Sequence, residues 1–168
     1  SETQIRTQRH ELHFSFTFLP LQPEQHKAPP REAANVIRHS ADAGLLPSDI
    51  AHINAHGTST PLNDAAEAEA ISEVFGESRP AVTGSKSVTG HSLGAAGAIE
   101  AVAVVLSILN KAIPPTHGTS MVDPEIKDLN LVISNPLEWE PGPSLSNSFG
   151  FGGHNGTIVI GPVSSNNT

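Results

Sequence analysis

Helical and extended patterns alternate along these 168 residues, and that alternation predicts an α/β fold with helices layered on a sheet. Three observations carry the prediction. Short apolar or β-branched runs recur at Asp49–His56, Ala81–Gly84, Leu131–Ser134, Ser144–Ser148 and Thr157–Ile160, and each reads as a strand. Longer runs with helical spacing fall between them. Glycines and prolines punctuate the borders.

Taken in order, residues 1–27 differ from the rest. Ser1–Glu11 is polar with mixed charge, and the prolines at 20, 23, 29 and 30 break the chain. This part is expected to be an atypical extension or linker, although Phe14, Phe16 and Phe18 alternate with Ser15 and Thr17 as in a strand. Glu32–Ala43 has the apolar set Ala33, Ala34, Val36 and Ile37 with Gly44 behind it, and predicts a helix. A second helix is expected from Asn63 or Asp64 to Phe75, with Asp64 and Glu67 spaced like a capping box. Ser87–Gly90 reads as a loop. Ser92–Leu109 predicts a third helix whose first half is almost bare of side chains. Glycine weakens a helix by about 1 kcal/mol relative to alanine, so Gly94 and Gly97 imply close backbone approach. From Ala98 onward that helix is apolar on nearly every face, which predicts a central position. The foldable unit is expected to be 28–162, with 163–168 as a tail.

Composition narrows the function classes. Acidic residues number 17 and basic ones 9, and no basic patch suited to nucleic acid is visible. There is no cysteine, which rules out disulfides, thiolate metal sites and a cysteine nucleophile within these residues. The longest apolar stretch, Ala98–Leu109, contains Glu100 and Ser107 and reads as too short to span a bilayer. With no signal peptide in view, a cytoplasmic protein without membrane contact is expected. The nine histidines are scattered, and His52 and His56 lack the helix and glutamate of a zinc motif, so no metal site is expected.

Three segments could carry chemistry. His56-Gly57-Thr58-Ser59-Thr60 follows a strand, where sites gather in α/β proteins. It fits a catalytic imidazole with two hydroxyls for a polar ligand arm, but local pattern alone favours a structural histidine in a threonine-rich turn. Lys86-Ser87-Val88-Thr89-Gly90-His91 precedes the small-residue helix. A histidine at a helix N-terminus is held neutral and can donate to a developing oxyanion. Lys86 would add fixed charge, and Glu100 is its natural ion-pair partner. The alternative is a capping loop with a surface lysine. Asn147-Ser148-Phe149-Gly150-Phe151-Gly152-Gly153 suits either a glycine-hinged aromatic gate or a tight turn with two anchoring rings.

Together, Ala55–Asp64, Lys86–Gly97 and Asn147–Asn155 resemble, in order and separation, the type II β-ketoacyl-acyl-carrier-protein synthases. The resemblance covers about residues 28–161 and corresponds to the C-terminal half of those enzymes; Gly153-His154-Asn155 is similar to actinobacterial members. It implies a thiolase-like half, layered α/β/α around a mixed five-stranded sheet. It implies a decarboxylative Claisen condensation of malonyl-carrier-protein with an acyl thioester, in fatty acid or polyketide synthesis. His56 and His91 match the catalytic histidines, Lys86 the supporting lysine and Glu100 its partner. Thr58 and Thr60 match the pantetheine-binding threonines, Phe149 the aromatic beside the nucleophile and Phe151 the gate of the acyl pocket. The implied partners are acyl carrier protein, whose phosphopantetheine carries the substrates with no other cofactor, and an N-terminal half that supplies the cysteine, the full enzyme being a homodimer. The missing cysteine predicts a chain inactive alone: a truncated piece, a fragmentary gene product, or a subunit that needs a partner. The alternatives are a non-catalytic pantetheine-binding or regulatory module and a thiolase relative, the latter disfavoured because thiolases carry a cysteine in this half.

Overall fold

The computed structural model describes residues 12–19, 43–124, 126, 129–150 and 155–162, with backbone alone for the first of these segments. The expected helix over Glu32–Ala43 and the glycine-rich turn at 151–154 therefore lie outside the described residues, apart from Ala43.

A six-stranded mixed sheet organises the chain. Its strands are β1 (Leu12–Leu19), β2 (His52–Asn54), β3 (Ala81–Thr83), β5 (Asn130–Leu131), β7 (Ser144–Phe149) and β8 (Asn155–Pro162), in the order β1-β8-β7-β2-β3-β5. The inner pairs β7–β2, β2–β3 and β3–β5 are parallel, whereas β8 is antiparallel to both β7 and β1. Five of these strands are the sheet expected from the resemblance. The sixth, β1, comes from the phenylalanine-alternating segment and pairs along the full length of β8. A separate two-stranded ribbon joins β4 (Ala112–Ile113) to β6 (Leu137–Glu138), two strands that the sequence patterns did not reveal.

The helices are α1 (Pro61–Phe75), a single turn α2 (Lys86–Thr89) and α3 (Ala96–Asn110). Strand side chains alternate between faces, and here the alternation sorts them by helix. Ile53 of β2, Leu145 of β7 and Val159 of β8 join Ala70, Ile71 and Phe75 of α1 in one core cluster. Ile160 of β8 joins Val104 and Ile108 of α3 in another. The sheet thus lies between two helical layers, α/β/α.

Four local expectations need correction. First, α1 begins at Pro61 behind Thr60 rather than at Asn63 or Asp64, because proline suits the first helical position where no N–H is needed. Glu67 makes no capping box; it is buried and turned into the core. Second, the segment read as a loop at Ser87–Gly90 is largely the turn α2. Third, α3 is not buried on every side. Its inner stripe is Ala96, Glu100, Val104, Ser107 and Ile108, while Ile99, Val102, Leu106 and Leu109 are exposed. Fourth, with the 3₁₀ turn Leu93–Ala95 the apolar helical stretch reaches 18 residues, Leu93–Asn110, long and apolar enough by length and composition to cross a membrane. Its inner stripe nevertheless packs on the sheet and carries the buried Glu100.

The close approach expected of the small-residue helix is present at one glycine. A Cβ on Gly97 would stand 3.2 Å from Ser148 Oγ, whereas Gly94 faces open space.

Candidate active site

The side chains expected to carry chemistry meet beyond the C-terminal ends of β2 and β3, where parallel sheets collect ligands. His56 leaves β2 two residues after Asn54. Gly57 then turns the chain with φ +43°, a conformation that costs other residues about 1–2 kcal/mol. The buried carboxylate of Glu67 locks this turn, accepting the N–H groups of His56 at 2.8 Å and Gly57 at 3.0 Å. Asn147 of β7 donates to Glu67 Oε1 at 3.0 Å, and Thr157 of β8 donates to Asn147 Oδ1 at 2.9 Å. One carboxylate therefore ties α1, β7 and, through Asn147, β8 to the histidine turn. Burial raises the pKa of Glu67, opposed by the hydrogen bonds from Gly57, Asn147 and His56.

Lys86 opens α2 and is buried. Its ammonium pairs with Glu100 of α3 and also lies 3.3 Å from His56 Nδ1. Burial raises the Glu100 pKa and the contact with Lys86 counters it. An ammonium has donors only, so paired with a carboxylate it must donate to an unprotonated Nδ1. His56 is thereby fixed with its proton on Nε2. Burial first, then the positive charge of Lys86 and the proximity of His91, lower the His56 pKa to about 4, so the ring is neutral at physiological pH.

His91 is oriented by a different contact. Its Nδ1 accepts the N–H of Leu93 at 3.3 Å, which leaves Nε2 as the protonated nitrogen. The α-helix itself starts five residues later, so the 3₁₀ turn, not the α3 terminus, supplies that donor. Leu93 adopts φ +52°, a left-handed conformation rare for its type, immediately beside the exposed ring. The two imidazoles stand edge to face with centroids 5.6 Å apart, and Phe149 sits 5.7 Å from His56.

The Thr58 and Thr60 hydroxyls hydrogen-bond each other at 2.9 Å. Both line a cavity of about 670 Å³ that also reaches Lys86, His91, His117 and, on its apolar floor, Ile71. Of the eight residues proposed from sequence as site members, Phe151 alone lies outside the described residues. Glu67, Asn147 and Asn54 were missed as positioning groups; Asn54 Oδ1 accepts the N–H of Ser85 at 3.3 Å. Glu67 had a signal, a carboxylate three residues into an acidic helix start, but local spacing reads that as a cap. Among the described residues no cluster of three or more metal-ligating side chains occurs.

Comparison with known proteins identifies the family. The family described as "Beta-ketoacyl synthase, C-terminal domain" matches residues 22–120. A 3-oxoacyl-(acyl-carrier-protein) synthase 2 from Mycobacterium bovis is 48% identical over 119 residues, which are 71% of this chain and 28% of that protein. The chain thus spans under a third of the length of such relatives. Among solved structures, the ishigamide ketosynthase/chain length factor superposes with TM-score 0.81 at 33% identity, covering 90% of this chain and 37% of the other. A type II PKS acyl-carrier protein in complex with its ketosynthase bound to the hexaketide gives TM-score 0.79 at 33% identity, covering 90% of this chain and 38% of the other.

Proposed function

The chain belongs to the β-ketoacyl synthase C-terminal domain family, and we propose that it supplies the decarboxylating side of a condensing active site. A malonyl thioester, carried on the phosphopantetheine of acyl carrier protein, enters along Thr58 and Thr60. As its terminal carboxylate leaves as CO₂, the electron pair of the broken C–C bond passes into an enolate. Negative charge collects on the thioester oxygen. The Nε2–H groups of His56 and His91 donate to that oxygen. The enolate carbon then attacks an acyl thioester on a cysteine. A new C–C bond forms, the C–S bond breaks and the thiolate departs.

One observation carries this reading: two imidazoles stand side by side, each with Nδ1 engaged and Nε2–H left as donor. Lys86, held by Glu100, keeps His56 in that tautomer and adds positive charge. The 168 residues hold no cysteine, so the nucleophile comes from polypeptide outside them, in the same or another chain. The ketosynthase half that bears it is the expected partner, within a homodimeric cytosolic enzyme. The carrier-protein complex among the similar structures supports acyl carrier protein as the second partner.

The test is complementation. The chain is mixed with the cysteine-bearing N-terminal portion of a family relative, and CO₂ release from malonyl-carrier protein is followed. Turnover is expected only with both parts. His56→Ala and His91→Ala should each lower it by about 10²–10³, the usual cost of one oxyanion donor. Full turnover in both variants would leave a pantetheine-binding module without oxyanion chemistry.

A further inference from the structure

Lys86 aims the site, yet the element that carries it is weak. Turn α2 has four residues and no side-chain cap, and isolated turns of this length do not hold themselves. The preceding Ser85 hydroxyl is buried without a partner among the described residues. The Glu100 ion pair holds the ammonium, but the turn that carries it needs support of its own, and that lies some thirty residues away in sequence.

We propose that the segment 114–117 is a strap that aims Lys86, with Thr116 as its positioning residue. Three hydrogen bonds lace it to the lysine turn. Thr83 Oγ1 donates to the Pro114 carbonyl at 2.8 Å, Gly84 N–H donates to Thr116 Oγ1 at 3.0 Å, and His117 N–H donates to Ser87 Oγ at 2.9 Å. The bonds bracket Lys86 on both sides. The strap is anchored in turn, because Thr116 N–H donates to the Val132 carbonyl at 2.8 Å. Pro114 and Pro115 fix their own φ angles, which stiffens it. Thr116 also packs against Gly84, where a Cβ would stand at an ordinary contact distance of 3.6 Å from its Cγ2. Asn54 holds the opposite side of the turn through Ser85 N–H. The lysine turn is thus gripped between β2 and the strap.

The inference rests on Lys86 belonging to the proposed site, but its test needs no turnover. Long-range ¹H–¹⁵N spectra of the histidine rings at pH 7 report which nitrogen carries each proton. Wild-type His56, facing Lys86 and His91 and held through its backbone by Glu67, should show an unprotonated Nδ1 and a protonated Nε2. Thr116→Val keeps the methyl contacts and removes the acceptor; Thr116→Ser does the reverse. In Thr116→Val the His56 signals should shift towards each other as Lys86 loosens and the tautomers mix. Thr116→Ser should keep the wild-type pattern. A folded Thr116→Val with wild-type His56 signals would overturn the proposal, as would Thr116→Ser shifting as far as valine. Should Thr116→Val fail to fold, Ser87→Ala cuts the strap at its exposed end; a partial shift is expected there, and an unchanged spectrum would overturn the strap equally. A condensation assay that fails while these spectra behave as expected would count against the proposed reaction and leave the strap standing.

Discussion

His52 shows how a histidine four residues from the chemistry serves a different end. It shares the sheet face of His56 but is 1% exposed, packed edge to face on Trp139 at 5.6 Å, with neither ring nitrogen hydrogen-bonded among the described residues. Burial lowers its pKa from 6.5 to about 4. Between those values the unfolded chain binds a proton that the folded chain refuses. Its contribution to stability is complete above pH 6.5 and falls as pH drops towards 4, by about 3 kcal/mol in all. Urea midpoints should therefore hold steady from pH 8 to 7 and decline below 6.5. His52→Leu should flatten much of that decline, with the remainder belonging to His56; an unaltered slope would clear His52 of the effect. Glu67 makes the complementary case. Removing its carboxylate orphans the N–H groups of His56 and Gly57 and the amide of Asn147. At roughly 1–3 kcal/mol per buried unpaired donor, Glu67→Ala should lose about 3 kcal/mol or more in urea unfolding, and Glu67→Gln distinctly less. His56, Lys86 and His91 could be picked out from sequence because their neighbours are small or turn-forming. Glu67 could not, since its partners are backbone groups that only the tertiary fold delivers.

At the scale of elements, the approach of α3 to β7 is built from absent side chains. The β7 residues that face α3 are Ser144, Ser146 and Ser148, and Gly97 meets the last of them. Gly97→Val should lower the melting temperature, by an amount equivalent to about 1–3 kcal/mol of overpacking. Gly94 lies in open space with an ordinary φ, so Gly94→Ala should stabilise by about 0.4–1 kcal/mol. Opposite signs for two glycines three residues apart is the outcome to check by thermal unfolding; equal signs would mean that helix propensity, not contact, decides both. The sequence foretold that this helix is pressed against something, because glycine in a helix demands a reason. It did not tell which glycine, since both sit in the same run of small residues. Nor did it reveal β4 and β6, where two-residue strands are too short for an alternation to register.

Across the molecule the two helical layers are unequal. α1 rests on a core of nine buried side chains that spans β2, β3, β7 and β8, whereas the α3 cluster has three. The outer face of α3 shows why its sequence reads as buried all round. Val102 and Leu106 are 58% and 52% exposed, flanked by the partly exposed Ile99 and Leu109. A contiguous apolar face of this kind is uncommon on a monomer and is the usual mark of an interaction surface. The chain should therefore associate as its concentration rises, and sedimentation velocity across a dilution series should show the average mass climbing. Val102→Lys together with Leu106→Lys should hold the chain at monomer mass. Its melting temperature should change little, because neither residue belongs to the inner stripe that meets the sheet. Added N-terminal portion of a family relative should replace self-association with a one-to-one complex in the wild type and fail to do so in the double variant. Association that persists unchanged in the double variant would move the covered surface elsewhere on the molecule.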